Sequence, residues 1–147
     1  MKIIISPSKT QKITKIMGFD FKSAIYKDKT DYLVNLMKKF KKEEIKKIMK
    51  TSDKLTNEIY NNYKAFLDEK LGHAAASYTG IAFRSLDIKE FSKKEVEYME
   101  KHLVILSALY GVLTPLTGIK PYRLDMTMSI SKKNSLYEFW QESINEY

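Results

Sequence analysis

Residues 103–125, LVILSALYGVLTPLTGIKPYRLD, decide the fold. From Leu103 to Leu109 the run is short, apolar and bounded by turn signals, which reads as a buried strand. Gly, Pro and Thr then punctuate the chain from Gly111 to Pro121, so the strand empties into a loop. Loops that leave buried strands are where α/β proteins place ligand-contacting groups. The stretch closes on Arg123, which with Arg84 supplies the only arginines of a chain whose other basic side chains are lysine or histidine.

Working outward, residues 2–6 (KIIIS) read as a buried first strand, ended by Pro7, with Ser8-Lys9-Thr10 as the loop at its C-terminal end. Residues 11–29 show no clean period. From Thr30 to about Lys50 the pattern is helical, with Leu33, Leu36, Met37 and Phe40 followed by Ile45, Ile48 and Met49 on one face and Thr30 as the cap. Ser52 opens another helix, carrying Leu55, Ile59, Tyr63, Phe66 and Leu67 inward, with Gly72 as its C-cap. Residues 74–83 read as a second strand interrupted at Gly80. Ser92 to Glu95 form a capping box, with Phe91 and Val96 in staple positions, and start a helix that runs to about His102. Strand, helix and apolar strand in that order imply a right-handed βαβ crossover with parallel strands. Leu124–Ile130 reads as a short strand and Lys132–Asn134 as a turn. Ser135 to Glu138 form a second capping box that opens the last helix. The expected fold is therefore mixed α/β, one domain over 1–147, with a central mixed sheet, a βαβ crossover and flanking helices.

The chain has 147 residues, 44% of them hydrophobic and 30% charged, which is a globular balance. No apolar run reaches bilayer length, and Met1–Ile5 is too short for a signal peptide. With no cysteine there is no disulfide or thiolate chemistry, and the composition fits a cytoplasmic protein. A net charge of +8 favours anionic partners such as nucleic acid or phosphorylated ligands. The lysines at 38, 39, 41, 42, 46, 47 and 50 read as a solvated helix face ahead of a phosphate-binding surface.

Histidines stand only at 73 and 102, and neither has a second ligand at helical spacing, so no metal or other cofactor is expected. Ser6-Pro7-Ser8-Lys9 has the spacing of serine acyl enzymes but follows a strand instead of opening a helix, and reads as coincidence. The same strand-end loop suits an anion, with Lys9 as the charge and backbone amides as donors. Residues 109–113 resemble the hairpin of a helix-hairpin-helix DNA-binding element. There Gly111, between Tyr110 and Val112, would let the backbone approach a phosphate, and Thr114-Pro115 would open the next helix. Arg123 and Asp125, two residues apart, would share a strand face, as a structural pair or with Arg123 as an oxyanion clamp.

Taken in order, these pieces resemble the YaaA family of bacterial peroxide-stress proteins. The matching stretches are Ile5 to Thr10, Ser52 to Leu55, Tyr78 to Gly80, Leu103 to Leu113, Thr114 to Leu116, Lys120 to Met126 and Leu136 to Trp140. The family usually shows Arg-Pro-Leu-Asp where this chain has Thr114-Pro115-Leu116-Thr117. The resemblance implies an α/β fold with a basic cleft and a helix-hairpin-helix-like element. It also implies DNA binding, a role in limiting iron-dependent damage by hydrogen peroxide, and a C-terminal portion beyond the residues present here. On that basis Lys9, Tyr110, Gly111, Val112, Lys120 and Arg123 are the expected contacts to double-stranded DNA, with weak sequence preference and no membrane partner. The alternative is an enzyme acting on a phosphorylated or nucleotide-like small molecule. Its pocket would be drawn from Ser6, Lys9, Tyr78, Arg123 and Asp125, with Thr10, Asp53, Lys54, Gly80 and Tyr122 from the matching stretches.

Overall fold

In the computed structural model, which describes residues 1–130 and 135–147, the elements follow in this order. They are β1 (Ile3–Ile5), α1 (Lys27–Lys39), α2 (Lys42–Met49), α3 (Asp53–Lys64), β2 (Gly72–His73), α4 (Ala74–Ser77) and α5 (Ile81–Leu86). After a 3-10 turn at Ile88–Glu90 come α6 (Lys93–His102), β3 (Leu103–Ser107), β4 (Gly111–Leu113), β5 (Gly118–Ile119) and α7 (Leu136–Glu146). The mixed α/β class is as expected. The apolar run is the middle strand of a sheet ordered β1-β3-β4, parallel to β1 and antiparallel to β4. A small antiparallel pair, β2 with β5, stands apart. No helix among the described residues is long and apolar enough to cross a membrane.

Both Ser capping boxes form. The Ser92 hydroxyl receives the Glu95 N–H while the Glu95 carboxylate receives the Ser92 N–H at 2.7 Å, and Ser135 with Glu138 repeats the exchange. The expected 30–50 helix is two helices. Phe40 takes an extended conformation, and Lys41 starts α2 with its N–H given to Glu44 Oε2 at 2.7 Å. Thr30 is buried inside α1, which begins three residues earlier, so it is not the cap.

Residues 74–83 are not a strand. Alanine favours helix over sheet, and Ala74–Ser77 makes one helical turn, with Gly80 at the N-cap of α5. The parallel partner of β3 is therefore β1, and the crossover between them contains α1 to α6. Gly72 does not cap α3 but opens β2, where a Cβ would lie 2.7 Å from the Thr14 backbone nitrogen. That close approach anchors the irregular segment after β1. The His73 N–H donates to the Thr14 carbonyl at 2.9 Å, and the Ile16 N–H donates to His73 Nδ1 at 2.8 Å. Nδ1 is thus an acceptor, and burial lowers the His73 pKa, which favours the neutral ring. Leu67 is exposed rather than inward. Leu124–Ile130 forms no strand beyond a single bridge from Ser129 to Ser135, and the expected turn at Lys132–Asn134 lies outside the described residues.

The segment expected to be a helix-hairpin-helix element is a β-hairpin. Gly111 begins β4 at φ +73°, paired with Ser107, and Thr114-Pro115 leads to a turn and β5 instead of a helix. Tyr110, Gly111 and Val112 are all buried, with α7 packed against β4. The Trp140 ring lies where a Gly111 Cβ would come within 2.6 Å, and its indole N–H donates to the Ala108 carbonyl at 2.7 Å.

Gly111→Ala should therefore combine left-handed backbone strain with overpacking, lowering stability by about 2–4 kcal/mol in urea unfolding. Gly18 has φ +81° with nothing within 4 Å of a Cβ, so Gly18→Ala should cost only the backbone part, about 1 kcal/mol. Equal losses for the two variants would remove the Trp140 contact as the cause.

Candidate functional site

The carboxyl ends of the parallel strands β1 and β3 open into a cavity of about 570 Å³, roofed by α7. In α/β sheets this is the end at which ligands bind. From the loop after β1 come Ser6, Ser8 and Lys9; Leu106 contributes from β3, Asp125 from the segment after β5, and Gln141 from α7.

The strand-end loop is held from one side. Ser8 Oγ accepts the Thr79 N–H at 3.0 Å and donates to the Thr10 carbonyl at 2.5 Å, and the hydroxyls of Thr10 and Thr79 meet at 2.7 Å. Gly80 lies against Ser8 so closely that a Cβ would fall 2.7 Å from the Ser8 Cβ. With the backbone fixed at Ser8 and Thr10, Lys9 projects between them. Its side chain is 72% exposed and its Nζ stands 4.0 Å from Asp125 Oδ2.

Asp125 is held from the other side. Its Oδ1 accepts the Thr127 N–H and hydroxyl, both at 2.9 Å. The Thr127 N–H foremost, then its hydroxyl and the charges of Lys9 and Arg123, hold the Asp125 carboxyl below the usual carboxylate range against partial burial. Arg123 is thus electrostatically close to Asp125. No strand forms here, however, and the ion-pair partner of Asp125 among the described residues is Lys9.

A buried polar cluster positions this segment. The Lys120 N–H donates to Tyr110 Oη at 3.0 Å, the Tyr122 N–H to Gln11 Oε1 at 3.1 Å, and Tyr63 donates its hydroxyl to the Arg123 carbonyl at 2.9 Å. Ser107 Oγ accepts the N–H groups of Leu109 and Tyr110, and lies 2.8 Å from Tyr122 Oη, which lies 2.6 Å from Tyr78 Oη. Since Ser107 Oγ already accepts twice, its own proton is directed at Tyr122. Burial raises the phenol pKa of Tyr63, Tyr78, Tyr110 and Tyr122.

The profile of a family described as peroxide stress protein YaaA matches residues 1–147. The chain belongs to that family. It is 41% identical over 147 residues to a UPF0246 protein of Finegoldia magna, covering all of this chain and 59% of the relative. A UPF0246 protein of Fusobacterium nucleatum is 38% identical over 150 residues, with 60% of its length covered, and one of Francisella philomiragia is 37% identical over 158 residues, with 62% covered. The chain thus spans about three fifths of the length of these curated relatives.

Of the residues expected at a site, Ser6, Lys9 and Asp125 line the one cavity, with Arg123 beside Asp125. Thr10 and Gly80 shape the Lys9 loop, while Tyr78 and Tyr122 lie behind it as buried supports. Asp53 and Lys54 open α3 instead, where the Asp53 carboxylate accepts from Lys46 Nζ at 2.6 Å. Lys120 Nζ donates to the carbonyls of Phe66 and Leu67 at 2.7 and 2.8 Å and does not line the cavity. Gln141 on α7 and Gln11 behind the site were not expected; only their matching position near aromatic and strand-end motifs hints at them. Among the described residues no three His, Asp or Glu side chains gather as a metal-ligand group.

Tyr122→Phe should leave Tyr78 Oη and Ser107 Oγ short of a buried partner and lower stability by about 1–3 kcal/mol. The buried phenols also set an alkaline limit. Below their unperturbed pKa of 10.0 folded and unfolded chains hold the same tyrosine protons, whereas above it the unfolded chain releases protons that the folded one keeps. Stability should fall as pH rises beyond 10, and the fall should be shallower in Tyr78→Phe; identical slopes in urea titrations would exclude Tyr78 from it.

Proposed function

We propose that this chain acts in the peroxide stress response, in the cytoplasm, by binding a phosphorylated or nucleotide-like small molecule in the cavity at the carboxyl ends of β1 and β3. The observation that carries the reading is the convergence there of Ser6, Lys9 and Asp125, residues from opposite ends of the chain. Lys9 supplies an accessible ammonium, the hydroxyl of Ser6 and the amide of Gln141 supply neutral hydrogen-bonding groups, and Asp125 fixes the ammonium on arrival of an anion. Arg123 adds positive potential next to Asp125. The apolar part of the lining, with Leu106, Leu124 and Met126, suits a base or another flat organic body.

Double-stranded DNA with weak sequence preference is the second reading. The net charge of +8 favours it, as does the exposure of Lys39, Lys41, Lys42, Lys46, Lys47 and Lys50 along α1 and α2. The buried Gly111 hairpin lends it no phosphate contact. Under either reading, limiting iron-dependent damage would be an indirect result of what is bound.

The test is calorimetric titration with AMP, ADP and ATP, beside anisotropy with a labelled duplex at about 50 and 200 mM salt. A nucleotide should bind, and Lys9→Ala or Arg123→Ala should each weaken it by about tenfold, the loss of one charge-assisted contact. Asp53→Ala should leave it unchanged. Duplex binding with a steep salt dependence that survives Lys9→Ala, without nucleotide binding, would replace the first reading by the second.

A further inference from the structure

The two flanks of the β1-β3-β4 sheet are treated differently. All three residues of β4 are buried, with Trp140 of α7 lying over Gly111. β1 is the opposite outer strand and is open: Ile3 is 46% exposed and Ile4 63% exposed. Proteins protect edge strands with charge, proline, bulges or cover. This edge carries three consecutive isoleucines instead.

The exposed isoleucines continue into a groove. Ile3 and Ile5, on one face of the strand, line a cavity of about 550 Å³ with Leu86 of α5, Phe91, and Tyr98 and Met99 of α6. The lining is almost wholly apolar, with Lys94 and Glu95 at its rim. Ile81 and Tyr98, on the helices that flank it, are 75% and 61% exposed. A contiguous apolar surface of this kind beside an unpaired strand marks an interaction site.

Relatives that match this chain from end to end at 41% and 38% identity have about two fifths of their own length outside the match. We infer that the open edge of β1 and the groove beside it seat a β-strand from the part of these relatives' polypeptide that lies outside the matched region. Such a strand satisfies the outward N–H and C=O groups of β1, and its alternate side chains enter the groove, as in strand addition generally. A second copy of this chain fits less well, because a three-residue edge offers little of the roughly 800 Å² per partner of a stable interface.

The experiment compares this chain alone with a chimera in which it replaces the matched residues of the Finegoldia magna relative, and with that relative intact. Hydrogen exchange is read at the amides of residues 3–6, with those of 104–107 in β3 reporting the fold, and light scattering gives the mass. In the chain alone the β1 amides should exchange at least tenfold faster than in the chimera, with β3 protected in both. Ile4→Lys in the chimera should restore fast exchange at β1 and leave β3 protected. Equal β1 exchange in chain and chimera overturns the inference. So does a dimer of the chain alone with β1 already protected. If the chimera does not fold, the intact relative decides: free exchange at its strand matching Ile3–Ile5 overturns the inference, and protection there supports it.

Discussion

The contact between the Trp140 indole and the backbone of Gly111 is the constraint on which the rest of the molecule depends. Only a residue without a Cβ fits beneath the ring, and only a hairpin of this shape offers the Ala108 carbonyl to the indole N–H. The tight hairpin then turns the N–H groups of Leu109 and Tyr110 onto Ser107 Oγ. Ser107 orients Tyr122, and Tyr122 with Tyr63 and Tyr110 holds the 120–123 backbone that leads to Asp125. The same helix that supplies Trp140 also roofs the cavity that Asp125 and Lys9 line. Fold and site thus share one clamp, which is buried and therefore worth far more than any surface ion pair.

The chain's positive charge is less available than its count suggests. Lys120 sits on the carbonyls after α3, and Lys22 pairs at 2.8 Å with Glu100, whose other oxygen receives the Leu116 N–H. Lys46 and Lys27 are paired with Asp53 and Asp31. Such lysines arrange loops and helix ends. Lys9 also has a carboxylate neighbour, Asp125, but at 4.0 Å this is the loosest of the four ion pairs. Its side chain is the most exposed of the four lysines, while the backbone on either side of it is fixed.

What could be read from the residues alone was local and strongly coded. The apolar run at 103–107, the triple isoleucine of β1 and the two Ser–Glu capping boxes each state their structure within a few neighbouring positions. Among the readings the structure changes, three lacked local signal. The break at Phe40–Lys41 uses a cap with no Ser, Thr, Asp or Asn, so only Glu44 marks it. Ala74–Ser77 looked extended because it lies between buried aromatic and glycine positions, while alanine's helix preference prevailed. At Gly111 the sequence marks a close backbone approach, and the group that fills the space is an indole from a distant helix. For the candidate site, Ser6 and Lys9 are legible as polar residues at the end of a strand, whereas Asp125 is legible only as a neighbour of Arg123, and its place beside Lys9 is set by the fold. The supporting roles of Tyr78 and Tyr122 are not legible, since burial from far-off segments decides them.

The parallel pairing of Ile3 with Leu103 joins residues a hundred positions apart, with nearly all the helices in between. Long-range pairing of this kind is slow to form and comes after local structure. During synthesis at about 5–20 residues per second, the isoleucine strand waits roughly 5–20 seconds for its partner to be made. Through that interval the segments of α1 to α6 are made one after another and can begin helix formation, while the apolar β1 has no partner strand to pair with. The order of assembly is therefore written into the topology: helices first, the hairpin and its indole next, and β1 among the last elements to be placed.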